Sequence, residues 1–515
     1  MYAEHKVRIC VPICEATIAA ARETIVRAAK VADIIELRLD CLSPPELNRA
    51  SELQSLLSGL NVPVIVTLRP RKQGGCRDFD LAFRNHAWFS AIDSPQLLRD
   101  IELDLALEAP GFVSSAQVDR LICSHHDFSG MLLNAEQIYE QLARTPAGIL
   151  KLAVQAHDVT DCIPIFQLLD RARREQRELI AIAMGEAGIA TRILGPARGA
   201  FLTYAALDAQ SANAPGQPTV DELRDKYRIQ QINLETQVMG LVGMPVDHSV
   251  SPEMHNAAFD SAGLNAVYLP FPVRDLAFFM RRLVHPRTRE IDLNIRGLSV
   301  TAPHKTAVMR YLHRTDPAAI EIGAVNTILV KGDELHGYNT DASAFIQSIS
   351  RAFSDVRGVT CAVIGAGGSA AAVVWALKKA GALVTVLARD ESKATAFSER
   401  FDVSRQLLGE SRSGDFELVI NATPLGTSGS LENQTPATAQ QLRGARVACD
   451  LVYNPQETRF LLEARTAGCE TIGGVAMLVG QAAEQFRLWT GIDPPEDVMR
   501  KVALEAIKTR VGAVV

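Results

Sequence analysis

Two lysines, each with acid-base partners elsewhere in the chain, are the residues best suited to chemistry. Lys151 stands inside the apolar run GILKLAV. An ammonium facing a protein interior there would be strongly disfavoured, so its amine is expected to shift toward the neutral, nucleophilic form. A lysine leaning outward from the same strand would merely be solvated. His126, in CSHHDF, suits a general acid-base role near neutral pH, while the adjacent His125, His126 and Asp127 have poor metal-ligand spacing, and no metal is expected. Lys305 follows a Pro turn in GLSVTAPHK and Asp341 closes GYNTD, a pair able to exchange the proton of a carbinol. In GMPVDHSVSPEMHN, Ser251 reads as the N-cap of a helix with Pro252 at its first position. With Ser249 it places two hydroxyls beside a positive helix end, a cradle for a carboxylate. Asn326 stands in GAVNT, between Lys305 and Asp341 in the chain.

A nucleotide signature lies two-thirds of the way along. In CAVIGAGGSAAAV, Cys361 to Val373, the residues Gly365, Gly367 and Gly368 permit a tight turn and close approach of a pyrophosphate to a helix start. An enzyme for NAD would end the next strand with an acid on the ribose 2′-hydroxyl. Here TVLARD offers Ala388 and Arg389, and arginine favours the 2′-phosphate of NADP. Asp390, next in line, weakens that preference slightly.

These groups need elements to hold them. From the N-terminus to about Leu207, eight short apolar runs alternate with charge-rich, helical-looking segments: Val7 to Ile13, Ile34 to Asp40, Val62 to Arg69, Asp100 to Leu105, Leu121 to His126, Gly148 to Val154, Leu179 to Gly185 and Phe201 to Leu207. Eight near-continuous apolar strands alternating with helices over this length predict a (β/α)8 barrel, with an open doubly wound sheet as the alternative. The polar residues favour the barrel. Glu36, Arg38, Arg69, Glu102, His126, Lys151 and the Arg192 loop all lie at or beyond the later part of a strand, positions that converge on one barrel face. After a polar stretch at about Thr219 to Gln237 the chain restarts with VMGLVGMP. A two-lobed α/β dehydrogenase with a Rossmann unit is expected from there on.

Composition narrows the function class. A length of 515 residues implies at least two domains. A net charge of -6 without a long basic run gives nucleic acid no footprint, so small polar ligands are expected instead. The nine cysteines are scattered, with Cys10 and Cys14 the closest pair, and read as reduced thiols of an intracellular protein. No apolar stretch would span a membrane, which points to a soluble, untargeted protein, cytoplasmic or in a plastid stroma if the chain is a processed plant one.

The motifs ELRLD, VTLRP, SHHDF, LKLAV, GIATR and APGQPT occur in this order and resemble type I 3-dehydroquinate dehydratase over residues 1–225. The resemblance implies that Lys151 forms a Schiff base with a substrate ketone, and that His126 takes the alpha proton and returns it to the leaving hydroxyl. Arg192 would pair the substrate carboxylate, with Glu36, Arg38, Arg69 and Gln217 binding or orienting the other polar groups. Two positions depart from the family pattern: Gln73 stands where Glu is usual before the paired glycines, and Asn213 where Ser is usual. A slower dehydratase is expected.

The second half, with GLSVTAPHK, GAVNT, GYNTD, GAGGSA, NATPLGT, DLVYNP and GGVAMLVGQ, resembles shikimate dehydrogenase from residue 238 onward. By that resemblance Lys305 and Asp341 are the catalytic pair, and Ser249, Ser251, Thr301, Asn326, Tyr453 and Gln481 contact substrate. NADP would lie against Gly365, Ala366, Gly367, Gly368, Ser369, Arg389, Thr423, Gly474 and Met477. Ser299 replaces an Asn frequent in the family, which keeps a hydrogen-bonding group with shorter reach. The implied layout is a barrel at 1–225, a substrate-binding domain at 238–346 completed by helices at 481–515, and a Rossmann domain at 347–480. Together the halves imply a bifunctional enzyme acting on 3-dehydroquinate, 3-dehydroshikimate and shikimate with NADP. A quinate preference in the second half, or a silent metabolite sensor, are the alternatives. Retention of Lys151, His126, Lys305 and Asp341 argues against the sensor.

Overall fold

The computed structural model describes residues 7–54, 57, 59–90, 97–108, 118–130, 134–211, 216–408 and 415–512. Asn213 lies outside them. The chain divides into two compact units, one of 1–236 with 270–284 and 288–294, the other of 237–269, 285–287 and 295–515.

Each of the eight runs of the first half contains a strand: β1 (Ile9–Ile13), β2 (Ile34–Arg38), β3 (Val64–Thr67), β4 (Leu97–Glu102), β5 (Leu121–Asp127), β6 (Ile149–Gln155), β7 (Glu178–Met184) and β8 (Thr203–Tyr204), although the fourth begins three residues before the expected Asp100 and gives way to a helix at Leu103. They pair in parallel in the order β7-β6-β5-β4-β3-β2-β1-β8. A bridge between Leu179 of β7 and Ala200, just before β8, closes the ring. This is the predicted barrel rather than the open sheet, with the helices α1 (Ile18–Ala28), α2 (Ala135–Ala143) and α3 (Cys162–Arg174) among those between its strands. Ile34, Ile65, Ile122, Ile149 and Ile180 meet Cys10 inside it, one from each of six strands, so the interior is packed rather than hollow.

Beyond the barrel strands, β9 (Gln237–Gly243), β10 (Ala266–Pro272), β11 (Ile295–Val300), β12 (Arg314–Thr315), β13 (Thr327–Lys331) and β14 (Glu334–Tyr338) form a mixed sheet in the order β10-β9-β11-β13-β14-β12. Its core combines Met239, Met254, Phe259 and Tyr268 with residues of the last two helices, α7 (Val475–Thr490) and α8 (Glu496–Gly512), among them Phe486, Met499 and Ile507.

A second sheet contains β15 (Thr360–Ile364), β16 (Leu383–Ala388), β17 (Ser404–Leu407), β18 (Leu418–Asn421), β19 (Val447–Asp450) and β20 (Glu470–Ile472). The spatial order β17-β16-β15-β18-β19-β20, all parallel, is the doubly wound dinucleotide topology. The order reverses between β15 and β18, and a ligand crevice is expected beyond the carboxyl ends of those two strands.

One expectation fails at the cysteines. Cys14 and Cys41 form a disulfide, with Cα atoms 5.2 Å apart. Sequence proximity suggested Cys10 and Cys14 as the nearest pair, but parallel pairing of β1 with β2 brings the residues just past the two strand ends together instead. Cys10 is buried in the barrel.

Candidate active sites

The carboxyl ends of the barrel strands carry the first cluster. Lys151 is the third residue of β6 and only 3% exposed. Its Nζ donates to Tyr204 Oη at 2.7 Å, Asp100 Oδ2 at 2.9 Å and Glu36 Oε1 at 3.2 Å. The amine thus sits among two carboxylates and a phenol, none of them local to GILKLAV. Arg69, just past β3 and equally buried, donates to Asp100 Oδ2 and Ser124 Oγ at 2.6 Å each and to Glu102 Oε1 at 3.1 Å. Thr67 donates to Glu36 Oε1 at 2.7 Å, and Ser124 to Asp100 Oδ1 at 2.5 Å. Burial pushes the Asp100 carboxyl up, but Arg69 and Lys151 overcome it and hold the group at about 2. Burial likewise raises Glu36, and Lys151, Arg38 and Arg69 outweigh it, so Glu36 also ends below its ordinary value. On Glu102 burial wins, and its carboxyl rises despite Arg69 and Arg84.

Ser124 of β5 lies opposite Lys151 of β6, and His126 opposite Ala153. Alternation along β5 puts His126 on the same face as Ser124, one step nearer the strand end. Burial holds the His126 imidazole well below the usual histidine range, helped by the cations Arg69, Lys151 and Arg38. Its Nδ1 is buried and has no hydrogen-bond partner among the described residues. Gln73 Oε1 accepts from the His126 backbone N–H at 2.7 Å, so that amide holds the strand at His126. Arg192, on the short helix Ile189–Leu194, is 4% exposed and donates only to the Ala183 carbonyl, at 3.0 Å, and its Nε has no partner among the described residues. Burial lowers this guanidinium to about 10, with no carboxylate to restore it. Arg38 differs. It makes a bidentate pair with Asp40 at 2.8 Å on both arms. Gln217 is partly exposed beyond β8.

The second cluster forms at the ends of β11, β13 and β14, interior strands of the mixed sheet. Asp341 opens α5 (Asp341–Ile349), where a carboxylate is favoured by the helix end, and its Oδ2 accepts from Lys305 Nζ at 2.7 Å. Asn326 Nδ2 donates to Asp341 Oδ1 at 2.8 Å and to Thr340 Oγ1 at 2.9 Å. Lys305 also reaches Ser369 Oγ, 3.2 Å away. Ser249 and Ser251 lie 3.1 Å apart through their hydroxyls, but the helix α4 (Ser251–Ser261) has Val250 at its cap and Pro252 in its second position. The predicted cap is therefore one residue too late. Ser249 Oγ accepts from the Ser251 N–H at 3.2 Å, so the hydroxyl that serves the first turn is the earlier one. Thr301 follows β11 and is partly exposed, its N–H donating to the Val242 carbonyl at 2.9 Å. Gln481 of α7 accepts through its carbonyl from Thr340 Oγ1 at 3.1 Å. Tyr453 packs against the core beside α7.

Three buried residues that sequence reading missed complete this cluster. Tyr268 Oη donates to Ser299 Oγ at 2.7 Å, Ser299 Oγ donates to Gln485 Oε1 at 2.7 Å, and Gln485 Nε2 donates to Thr327 Oγ1 at 3.0 Å. The short reach of Ser299 is thereby met from both sides. Gln485 sits one helical turn beyond Gln481, the signal that could have revealed it.

The nucleotide crevice carries its glycines where backbone demands them. Gly365 follows β15 with φ +124°, and a Cβ there would stand 3.0 Å from the Ala422 carbonyl. A Cβ on Gly368, the first residue of α6 (Gly368–Lys379), would stand 3.2 Å from Lys305 Cδ. Gly367 caps α6 without a side chain, and a Cβ added to it meets nothing within 4 Å. Ala366 and Ser369 flank this open helix start, and Thr423 lies beyond β18, its hydroxyl donating to Asn421 Oδ1 at 2.6 Å. Gly474 caps α7, and Met477 is buried on that helix against the Rossmann core. Arg389 is exposed just past β16 and has no ion pair among the described residues. Asp390, which could have opposed a phosphate, caps the following helix by accepting from the Lys393 N–H at 3.1 Å. An uncapped helix start beside a glycine turn, with a free arginine at the second strand end, fits a dinucleotide bearing a 2′-phosphate.

A lysine-bearing (β/α)8 barrel joined to a Rossmann oxidoreductase defines a two-centre enzyme, part lyase and part dehydrogenase. Family models match in the same order: type I 3-dehydroquinase at residues 9–234, the shikimate dehydrogenase substrate binding domain at 241–328, a putative NAD(P)-binding domain at 352–464 and the shikimate 5′-dehydrogenase C-terminal domain at 474–504. The chain belongs to the bifunctional 3-dehydroquinate dehydratase/shikimate dehydrogenase family. It is 31% identical over 516 aligned positions to the chloroplastic bifunctional enzyme of Arabidopsis thaliana, spanning 95% of this chain and 83% of that one. A shikimate dehydrogenase (NADP(+)) of Methanopyrus kandleri is 40% identical and covers 54% of this chain and 98% of its own length. A crystal structure of a shikimate dehydrogenase in complex with NADP+ superimposes with a TM-score of 0.50 at 36% identity, covering 54% of this chain and 97% of the other.

Proposed function

We propose that the protein dehydrates 3-dehydroquinate to 3-dehydroshikimate at the Lys151 centre and reduces the product to shikimate with NADPH at the Lys305 centre. The observation that carries the first step is Lys151 itself, an interior lysine held by two carboxylates and a phenol beside an unprotonated histidine. Lys151 attacks the substrate ketone, and the protons its nitrogen sheds go to the ketone oxygen. Loss of water then gives an iminium that draws electrons from the adjacent carbon. His126 takes the proton from that carbon and delivers it to the departing hydroxyl, and hydrolysis frees product and lysine. Arg192 receives the substrate carboxylate, for which a guanidinium with no ion pair among the described residues is suited. Glu36, Arg38, Arg69 and Gln217 orient the remaining polar groups.

In the second centre Lys305 and Asp341 hold and move the proton of the carbon-bound oxygen, at Lys305 Nζ. Ser249, Ser251, Thr301, Asn326, Tyr453 and Gln481 bind the substrate. NADPH, when bound, supplies the hydride. Gly365, Ala366, Gly367, Gly368, Ser369, Thr423, Gly474 and Met477 contact it, and Arg389 pairs its 2′-phosphate. The working division is a barrel at 1–225, a substrate-binding domain at 238–346 completed by 481–515, and a Rossmann domain at 347–480. The shared core of β9, α4, α7 and α8 supports that completion. We assign the activity to the cytoplasm or a plastid stroma. The Arabidopsis relative is chloroplastic, and among the described residues no helix is long and apolar enough to cross a membrane. No nucleic acid or membrane partner is assigned, in keeping with the net charge of -6.

Borohydride added with 3-dehydroquinate should fix one substrate-derived mass per chain on the peptide containing Lys151. Lys151→Ala should lose both the label and dehydration while keeping NADP-dependent oxidation of shikimate. Labelling at another lysine would refute the assignment.

A further inference from the structure

Three sulfurs meet beside the first centre, on residues that follow three neighbouring strands. Cys14 follows β1, Cys41 closes the turn after β2, and Cys76 lies in the turn after β3. Cys76 Sγ is 3.5 Å from Cys41 Sγ and 4.0 Å from Cys14 Sγ, and the three sulfurs all fall within 4.8 Å of one another. We propose that once the Cys14–Cys41 disulfide is reduced, the three thiolates bind a thiophilic divalent cation, zinc being the ion whose chemistry fits them.

The distances decide between this and thiol exchange. Attack by Cys76 along the disulfide axis would make its two sulfur distances differ by a bond length, about 2 Å. They differ by 0.5 Å (4.0 less 3.5), so Cys76 faces the pair from the side, as the third corner of a triangle. Thiolates about 2.3 Å from a tetrahedral zinc lie about 3.8 Å apart, and both distances to Cys76 bracket that separation.

The ligands are also held in advance. Asp40, fully buried, pairs with Arg38 and accepts backbone N–H groups from Cys76 at 3.0 Å and Arg69 at 3.2 Å, and its carbonyl accepts from Arg77. That knot fixes the turn carrying Cys76 against the residue next to Cys41. Cys76 is exposed, which gives a cation a route from solvent. The other six free cysteines are buried, and none joins a comparable group among the described residues.

The steps balance. A dithiol of the thioredoxin class gives two electrons and two protons to Cys14–Cys41 and becomes a disulfide itself. The three thiols then release three protons as the cation binds, with water at its fourth position. The cation changes no oxidation state, and no catalytic step depends on it.

The test uses the full chain reduced with a phosphine and freed of oxygen. A thiol count of nine after reduction, against seven before, establishes the starting state. Titration with cobalt(II) should give one tetrahedral thiolate-to-metal absorption per chain, displaced by one equivalent of zinc. Cys76→Ser, at an exposed site, should fold and bind at least about 10-fold more weakly. A disulfide that resists the phosphine, an absent absorption in the reduced chain, or equal binding by Cys76→Ser would each overturn the proposal.

Discussion

Arg192 is buried, and among the described residues only the Ala183 carbonyl receives one of its side-chain donors. A guanidinium so placed destabilises the ligand-free protein until an anion arrives. Arg192→Met should therefore raise the stability of the ligand-free barrel, by on the order of 1 kcal/mol, while raising KM for 3-dehydroquinate roughly 10- to 100-fold. Thermal denaturation and dehydration kinetics on the same preparation check both signs. His126 gives a pH prediction. Its folded-state value lies well below the ordinary value of about 6.5, so the unprotonated base persists as pH falls through that region. Dehydratase kcat/KM should stay level there, and a bend near pH 6.5 that vanishes in His126→Gln would contradict the burial argument. His126 was legible from sequence as a polar group at the end of an apolar run, and Arg192 through the motif GIATR beyond another run. Asp100 and Tyr204 were not, since nothing local to their own strands announces that both turn toward Lys151. The cysteine reading failed for the same reason: Cys14 and Cys41 are 27 residues apart and adjacent only through strand pairing.

At the scale of elements, the strand ends do the positioning. The barrel was readable because eight near-continuous apolar runs alternate with charge-rich segments, and the Rossmann order because its glycine turn follows a strand and opens a helix. What sequence could not fix was the exact helix start, where Ser249 takes the work expected of Ser251, and the use of Asp390, which caps its own helix. That use leaves Arg389 alone at the end of β16. Arg389→Ser should lower kcat/KM for NADPH about 10- to 100-fold and change that for NADH by less than about threefold. Gly365→Ala acts through backbone instead. A Cβ at φ +124° and 3.0 Å from the Ala422 carbonyl should raise KM for NADPH while leaving the dehydratase untouched. Initial rates with each cofactor separate the two effects.

For the molecule as a whole, two centres on one chain predict independence of lesions. Lys305→Ala should abolish shikimate oxidation and keep dehydration. A mixture of the Lys151→Ala and Lys305→Ala proteins should regain NADPH consumption from 3-dehydroquinate, because each supplies the centre the other lacks. A mixture as silent as its components would mean that a lesion in one centre disables both.

The core that unites Met239 and Phe259 with Phe486, Met499 and Ile507 also sets an order of assembly during translation. The barrel strands emerge early and have all their partners at hand. The mixed sheet emerges next yet lacks half of its apolar lining until the whole Rossmann segment has been made and the last two helices leave the ribosome. Nascent chains arrested shortly after β20 should thus resist protease in the barrel and be cut within β9 to β14. The dehydratase is ready for work before the dehydrogenase that consumes its product has finished folding.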